Sequence, residues 1–225
     1  MAHWLGEWRC AWCLLAPLLL WMGAPVSAAE PTIHATPSHG TQAPAPNDNA
    51  LAGIPIWRTI ALGATVGVDA YRDALDAAGI KVGVSADEIL GRPAFAYATM
   101  NLEVKLAVVS VAELGLEAEA SSLSAVYARA KRIGLELCPA EVGPRLRLDY
   151  RNQPLREALD VAMEPVATYG GDPTILALVN FGSGLMLIGS DGRSGAMVPR
   201  ARRFVFALPA RDRLEARRDI QPVIP

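Results

Sequence analysis

An α+β fold is predicted, with helices mainly in the first half of the folded domain and a mostly antiparallel sheet, or meander, in the second. Three observations predict it. Apolar residues recur at helical spacing before residue 135, they alternate at a spacing of two after it, and Gly- and Pro-rich turns separate the alternating runs. Helices followed by strands, rather than a regular alternation of the two, point to α+β with antiparallel pairing. The chain has 225 residues, 52% hydrophobic and 20% charged. Such a composition buries a core and excludes a disordered or collagen-like chain.

Trp57, Thr59, Ile60 and Leu62 predict a short strand ending before Gly63. Asp69 has the side chain of an N-cap; Tyr71, Leu75 and Ala78 then share a helical face, and Gly79 stands where a C′ glycine belongs. A second, short helix is marked by the S-x-x-E capping box of Ser85 and Glu88 and closed by Gly91 and Pro93. Leu102, Val104, Leu106 and Val108 alternate with Glu103, Lys105 and Ala107, then run into Val109, Ser110 and Val111. That pattern is a strand solvated at its start and buried at its end. Ser121 or Ser122 caps the clearest helix, with Leu123, Val126, Tyr127, Ala130 and Ile133 as its apolar stripe and Gly134 at its end.

Cys138-Pro139 and Gly143-Pro144 bracket a turn-rich segment. Leu146, Leu148 and Tyr150, alternating with Arg145, Arg147, Asp149 and Arg151, predict an amphipathic strand. Residues 154–166 (PLREALDVAMEPV) read as one helical turn running into a strand. Residues 175–180 and 185–188 are short strands joined through Phe181-Gly182-Ser183-Gly184, Ser190-Asp191-Gly192 signals a turn, and Phe204, Phe206 and Leu208 give a last strand.

This domain spans residues 57–209. Residues 1–28 have the make-up of a secretory signal peptide: a lead carrying Arg9, an uncharged apolar run over residues 10–22, and small residues before a cut after Ala28. The run is shorter than the roughly 20 residues that cross a bilayer, so no transmembrane span is expected after cleavage; an uncleaved anchor is the rival reading. Residues 29–56, rich in Pro, Ala, Thr and Asn, read as a flexible tether, and residues 210–225 as a charged, frayed tail.

Absent residues exclude several chemistries. The histidines are His3, His34 and His39, so the domain holds no imidazole. Ser-His-Asp and Cys-His catalysis, zinc hydrolysis and non-haem iron chemistry all need one. No metal site and no cofactor are expected. Cys10 and Cys13 leave with the signal, which makes Cys138 the only thiol. Gly63-Ala64-Thr65-Val66-Gly67 lies between a strand and a helix, the place for a phosphate cradle, but neither phosphate-binding glycine motif is present and it reads as a connection.

Carboxylate chemistry needs no histidine. Glu113, Glu141, Asp149 and Glu164 interrupt apolar or turn-rich stretches and are the candidate acids and bases, each weighed against a solvated strand end, a cap or an arginine partner. Cys138, with Leu137 beside it, reads as a small buried hydrophobe; a dimer linked through its sulfur is the alternative. Residues 193–218 carry eight arginines against Asp212 and Glu215, a net +6. Arg200, Arg202 and Arg203 are the candidate anion patch, against the alternative of a surface paired with acidic groups. Interleaved aromatics for stacking bases are few, so nucleic acid is not expected.

The stretch ARAKRIGLELCPAEVGPRLRLDYRNQPL (residues 128–155), with AMEPV and RRFVFALP after it, resembles a family of uncharacterised bacterial proteins over about residues 57–209. The resemblance implies a bacterial source and one unit after the tether, and it brings no activity, cofactor or catalytic residue. The expected function is a non-enzymatic domain binding a protein, small-molecule or polysaccharide partner at the cell envelope, in the periplasm or outside the cell. The alternatives are a carboxylate-dependent hydrolase of envelope or extracellular polysaccharide, and an anion-binding module built on the arginines.

Overall fold

Ile60 and Leu62 turn inward from β1 (Arg58–Leu62), as their alternation with polar and small neighbours requires. The computed structural model to which this strand belongs describes residues 53–210 apart from Val66. The expected signal peptide, most of the expected tether, His3, His34, His39 and the four arginines after residue 210 lie outside the described residues.

Helix α1 (Val68–Ala77) buries Tyr71 and Leu75 and ends with Gly79 at φ 67°. Its N-cap is Gly67, not Asp69; Asp69 sits in the first turn, where a negative charge suits the helix dipole, 3.4 Å from Arg72. After the two-residue strand β2 (Lys81–Val82), α2 (Val84–Leu90) begins from Gly83, so Ser85 is inside the helix and the expected capping box is not formed. Glu88 instead accepts from the Tyr169 N–H, and Asp87 from Arg72. Strand β3 (Leu102–Ser110) is exposed at its start and buried beyond, as predicted. The short β4 (Ala120–Ser122) leads into α3 (Leu123–Arg132), where the Ser122 hydroxyl accepts the Ala125 N–H.

One predicted strand is a helix. Residues expected to alternate form α4 (Val142–Asp149), which buries Val142, Gly143, Pro144, Leu146 and Arg147. Arg147 was counted toward solvent by its charge, yet it has no exposed surface; it donates to Gln153 Oε1 and to the Tyr150 carbonyl. With Arg147 on the dry side and Leu148 only half-buried, the buried positions 142, 143, 146, 147 and 150 follow a helical period rather than a period of two. Pro144 in the first turn costs nothing, because its missing N–H would have no partner there.

The rest of the chain is β: β5 (Ala158–Val161), β6 (Val166–Ala167), the hairpin β7 (Pro173–Asn180) and β8 (Leu185–Asp191), β9 (Met197–Pro199) and β10 (Arg203–Ala207). The main sheet runs β1-β3-β10-β5-β7-β8-β2, with β6 beside β7, while β4 and β9 form a separate pair. Pairings β10–β5 and β2–β8 are parallel and the others antiparallel, so the sheet is mixed and the class is α+β. The last strand in sequence is therefore inserted at the centre. Its residues 204–207 are buried in succession, the mark of a strand covered on both faces.

Register decides which side each helix covers. Phe204 and Phe206 share a face with Val109 and Ala107, and Tyr127 of α3 meets both phenylalanine rings edge-on at 6.3 and 6.5 Å. Val205 pairs with Val108 and, across β5, shares the opposite face with Leu178 and Leu176; there Gly143 of α4 lies against Leu176.

Candidate functional site

Glu141 is the most buried of the four candidate carboxylates, with no exposed surface. It stands at the N-cap position of α4, but its side chain points away from that helix. Oε1 accepts from the Tyr71 hydroxyl at 2.7 Å and the Gly63 N–H at 3.1 Å, and Oε2 from the Ala98 N–H at 2.6 Å. The loop that resembled a phosphate cradle thus turns the Gly63 amide onto the protein's own carboxylate. Burial, reinforced by donation to Glu141, pushes the Tyr71 hydroxyl well above the usual tyrosine range. Tyr97, stacked on Tyr71 at 5.8 Å, is pushed up to about 12 by burial.

The other three lie elsewhere. Asp149 closes α4, about 12 Å of helix rise from Glu141, and holds Arg145 at 3.2 Å. Glu113 accepts the Ser110 N–H and the Ser110 hydroxyl, each at 2.7 Å, and these bonds hold its carboxyl below the usual range. Glu164 is exposed, 3.9 Å from Lys131.

Among the arginines, Arg202 grips Asp160 with two bonds of 2.6 Å, and Arg203 reaches Glu157 at 2.7 Å. Arg200 is exposed. Cys138 is 4% exposed and its Sγ donates to the Val205 carbonyl at 3.4 Å; burial pushes the thiol far above its ordinary range. No cluster of three or more metal-ligating side chains occurs among the described residues.

A cavity of about 590 Å³ lies where β10 ends, within the size range of ligand sites. Residues 102–105, 136–139 and 207–210 border it, with Glu164 at its edge. Two smaller cavities, of about 400 and 340 Å³, adjoin it along the flank of α3, and Glu164 lines all three. Leu102, Val104, Leu137 and Leu208 give the main cavity apolar wall; Glu103, Glu136, Glu164 and Lys105 supply its charge. Of the four candidate carboxylates only Glu164 reaches it. Glu103 was missed because it reads as an ordinary solvent-side residue of an amphipathic strand, and nothing in the sequence singles out Glu136. A search for segments that would border the last strand would have found Glu103.

Comparison with protein-family models, curated proteins and solved structures finds no match to this chain.

Proposed function

We propose that the domain is an exported, non-enzymatic binding module of the bacterial cell envelope, and that it takes an amphipathic ligand with an apolar body and a positive charge in the cavity at the end of β10. The observation that carries this reading is the lining: leucine and valine walls with Glu103 and Glu164 beside them. Apolar surface leaving water there contributes roughly 25 cal/mol per Å². The carboxylates, in excess over Lys105, favour a cation and penalise an anion, which is how such a site selects. Export is supported by the charged lead, apolar run and small-residue cut site of residues 1–28.

The test is calorimetric titration with octylammonium and octanoate, which share a tail and differ in charge sign. Octylammonium is expected to bind with a Kd of about 1 mM, and octanoate not to bind. Equal binding of the two, or none, contradicts the reading. Mass spectrometry of the protein recovered outside the cytoplasm is expected to find Ala29 at the N-terminus; an intact Met1 contradicts the cleavage.

The three glutamates around one cavity also favour a second reading, a carboxylate-dependent hydrolase. Glu103 is exposed and the Glu164 side chain is 81% exposed, so water surrounds both, whereas a general acid working near neutral pH depends on burial. Release of reducing ends from an envelope polysaccharide, lost in Glu103→Gln, would favour the enzyme over the binding module.

A further inference from the structure

A second cavity, of about 290 Å³, opens at the base of the β7–β8 hairpin beside the first turn of α2. Six of the eight residues that line it are polar or charged, and the other two are Pro173 and Gly189. It shares no lining residue with the cavity at the end of β10. Register sets its floor. Thr174 pairs with Asp191 and Leu176 with Gly189, so these four share the face of the hairpin on which α2 and α4 pack. A Cβ on Gly189 would lie 2.3 Å from Ser85 Oγ and 2.7 Å from Thr174 Cγ2. The missing side chain lets Ser85 sit down on the sheet and brings its hydroxyl to the cavity.

The rim holds charge in a fixed arrangement. Arg193 donates Nε to both oxygens of Asp191, at 3.0 and 3.1 Å, and Nη2 to Oδ2 at 2.6 Å. Asp191 Oδ1 also accepts the Arg193 N–H at 2.9 Å. Four bonds fill the acceptor capacity of that carboxylate, and Arg193 keeps its Nη1 unengaged. The Asp172 backbone is bonded to Thr168 and Thr174 on its two sides. Its carboxylate and the Ser85 hydroxyl have no hydrogen-bond partner among the described residues. An anionic acceptor, a cationic donor and a hydroxyl with bonds to spare thus surround one small space.

The combination selects a ligand class. A metal ion does not fit, because the lone pairs of Asp191 are taken and a guanidinium stands beside them. An anion meets Asp172, and an apolar molecule finds no wall. Neighbouring hydroxyl groups do fit: each can donate and accept, so one donates to Asp172 while the next accepts from Arg193. We infer that this cavity takes one saccharide unit, its adjacent hydroxyls bridging Asp172 and Arg193 with Ser85 beside them. The volume, at the lower end for small-molecule sites, holds one sugar ring rather than a chain of rings. Bonds made at a rim open to water give a Kd of about 1–10 mM. The inference goes beyond the cation-binding reading and stands apart from it.

The test is an amide NMR titration of the full chain with the methyl glycosides of glucose, mannose and galactose, which differ in the stereochemistry of their hydroxyl pairs. L-alanine and calcium chloride are titrated beside them. Saturable shifts at Thr174, Gly189 and Arg193 are expected with at least one glycoside, and none at Leu102 or Leu208. Asp172→Ala and Arg193→Ala are each expected to weaken that binding about tenfold or more. Both side chains are exposed, so Tm should hardly move. Saturation by none of the three glycosides, or glycoside shifts that survive both substitutions, overturns the inference. So does tighter binding of alanine or calcium at the same amides, which would make the cavity a zwitterion or metal site.

Discussion

Glu141 Oε1 accepts the Tyr71 hydroxyl at 2.7 Å across 70 residues of sequence, and both groups are fully buried. With the Gly63 and Ala98 amides, this carboxylate ties β1's exit, α1 and the segment before β3 to the start of α4. Glu141→Gln sets an NH₂ group against an N–H or O–H donor, and the expected loss is about 2–4 kcal/mol. Tyr71→Phe removes one donor and keeps the ring, for about 1–2 kcal/mol. Urea denaturation is the measurement; a larger loss for Tyr71→Phe than for Glu141→Gln contradicts the assignment.

Stability should fall in alkali. Burial raises Tyr97 and Tyr150 from 10.0 to about 12, raises Tyr71 and Tyr127 further, and raises Cys138 from its ordinary 9.0. Each group holds its proton more tightly folded than unfolded. Their contribution is whole below about pH 9 and is lost as pH rises, first through Cys138 from about 9 and then through the tyrosines from about 10. The urea midpoint is expected to be level from pH 7 to 9 and lower at pH 11, with a later onset in Cys138→Ala. A flat midpoint to pH 11 contradicts this.

Helix α4 approaches the sheet closely at one place. A Cβ on Gly143 would lie 2.3 Å from Leu176 Cδ1 and 3.1 Å from its Cβ. Gly143→Ala is expected to cost about 1–3 kcal/mol by overpacking, and Leu176→Ala about 2–5 by leaving a cavity. The double variant should lose less than the sum of the two, since each relieves the other. Strict additivity in a double-mutant cycle would show that the two do not touch.

Much of the fold was legible because its signals are local. The Ser122 cap, the α3 stripe and the hairpin turn at residues 181–184 each lie within a few residues of what they determine. Helix α4 was misread because the sequence pattern treats every arginine as wet. Arg147 is buried against neutral acceptors, and burial lowers it to about 10, with Arg151 adding repulsion. Glu141 was visible as a candidate, but its partners lie 78, 70 and 43 residues away. The cavity was invisible for the same reason. It lies where β10, inserted between β3 and β5, comes to its end, and no local pattern carries that topology.

The Arg202–Asp160 pair distinguishes a structural from a ligand-binding arginine. The Asp160 side chain is 5% exposed and takes both bonds of the guanidinium fork. Arg202→Ala leaves a buried carboxylate without its cation, at about 3–5 kcal/mol. Arg203→Ala, at a pair where the arginine side chain is 46% exposed, is expected to cost under about 1 kcal/mol. Similar losses for both by thermal denaturation would contradict the ranking.

The central claim is that the cavity at the end of β10 binds amphipathic cations, and methyl NMR of the protein during octylammonium titration tests it most directly. Saturable shifts are expected at Leu102, Leu137 and Leu208, with none at the core residue Leu75, and these shifts are expected to vanish in a Glu103→Lys, Glu164→Lys double variant. Shifts of the same size with octanoate, or shifts that survive the double charge reversal, would contradict the account.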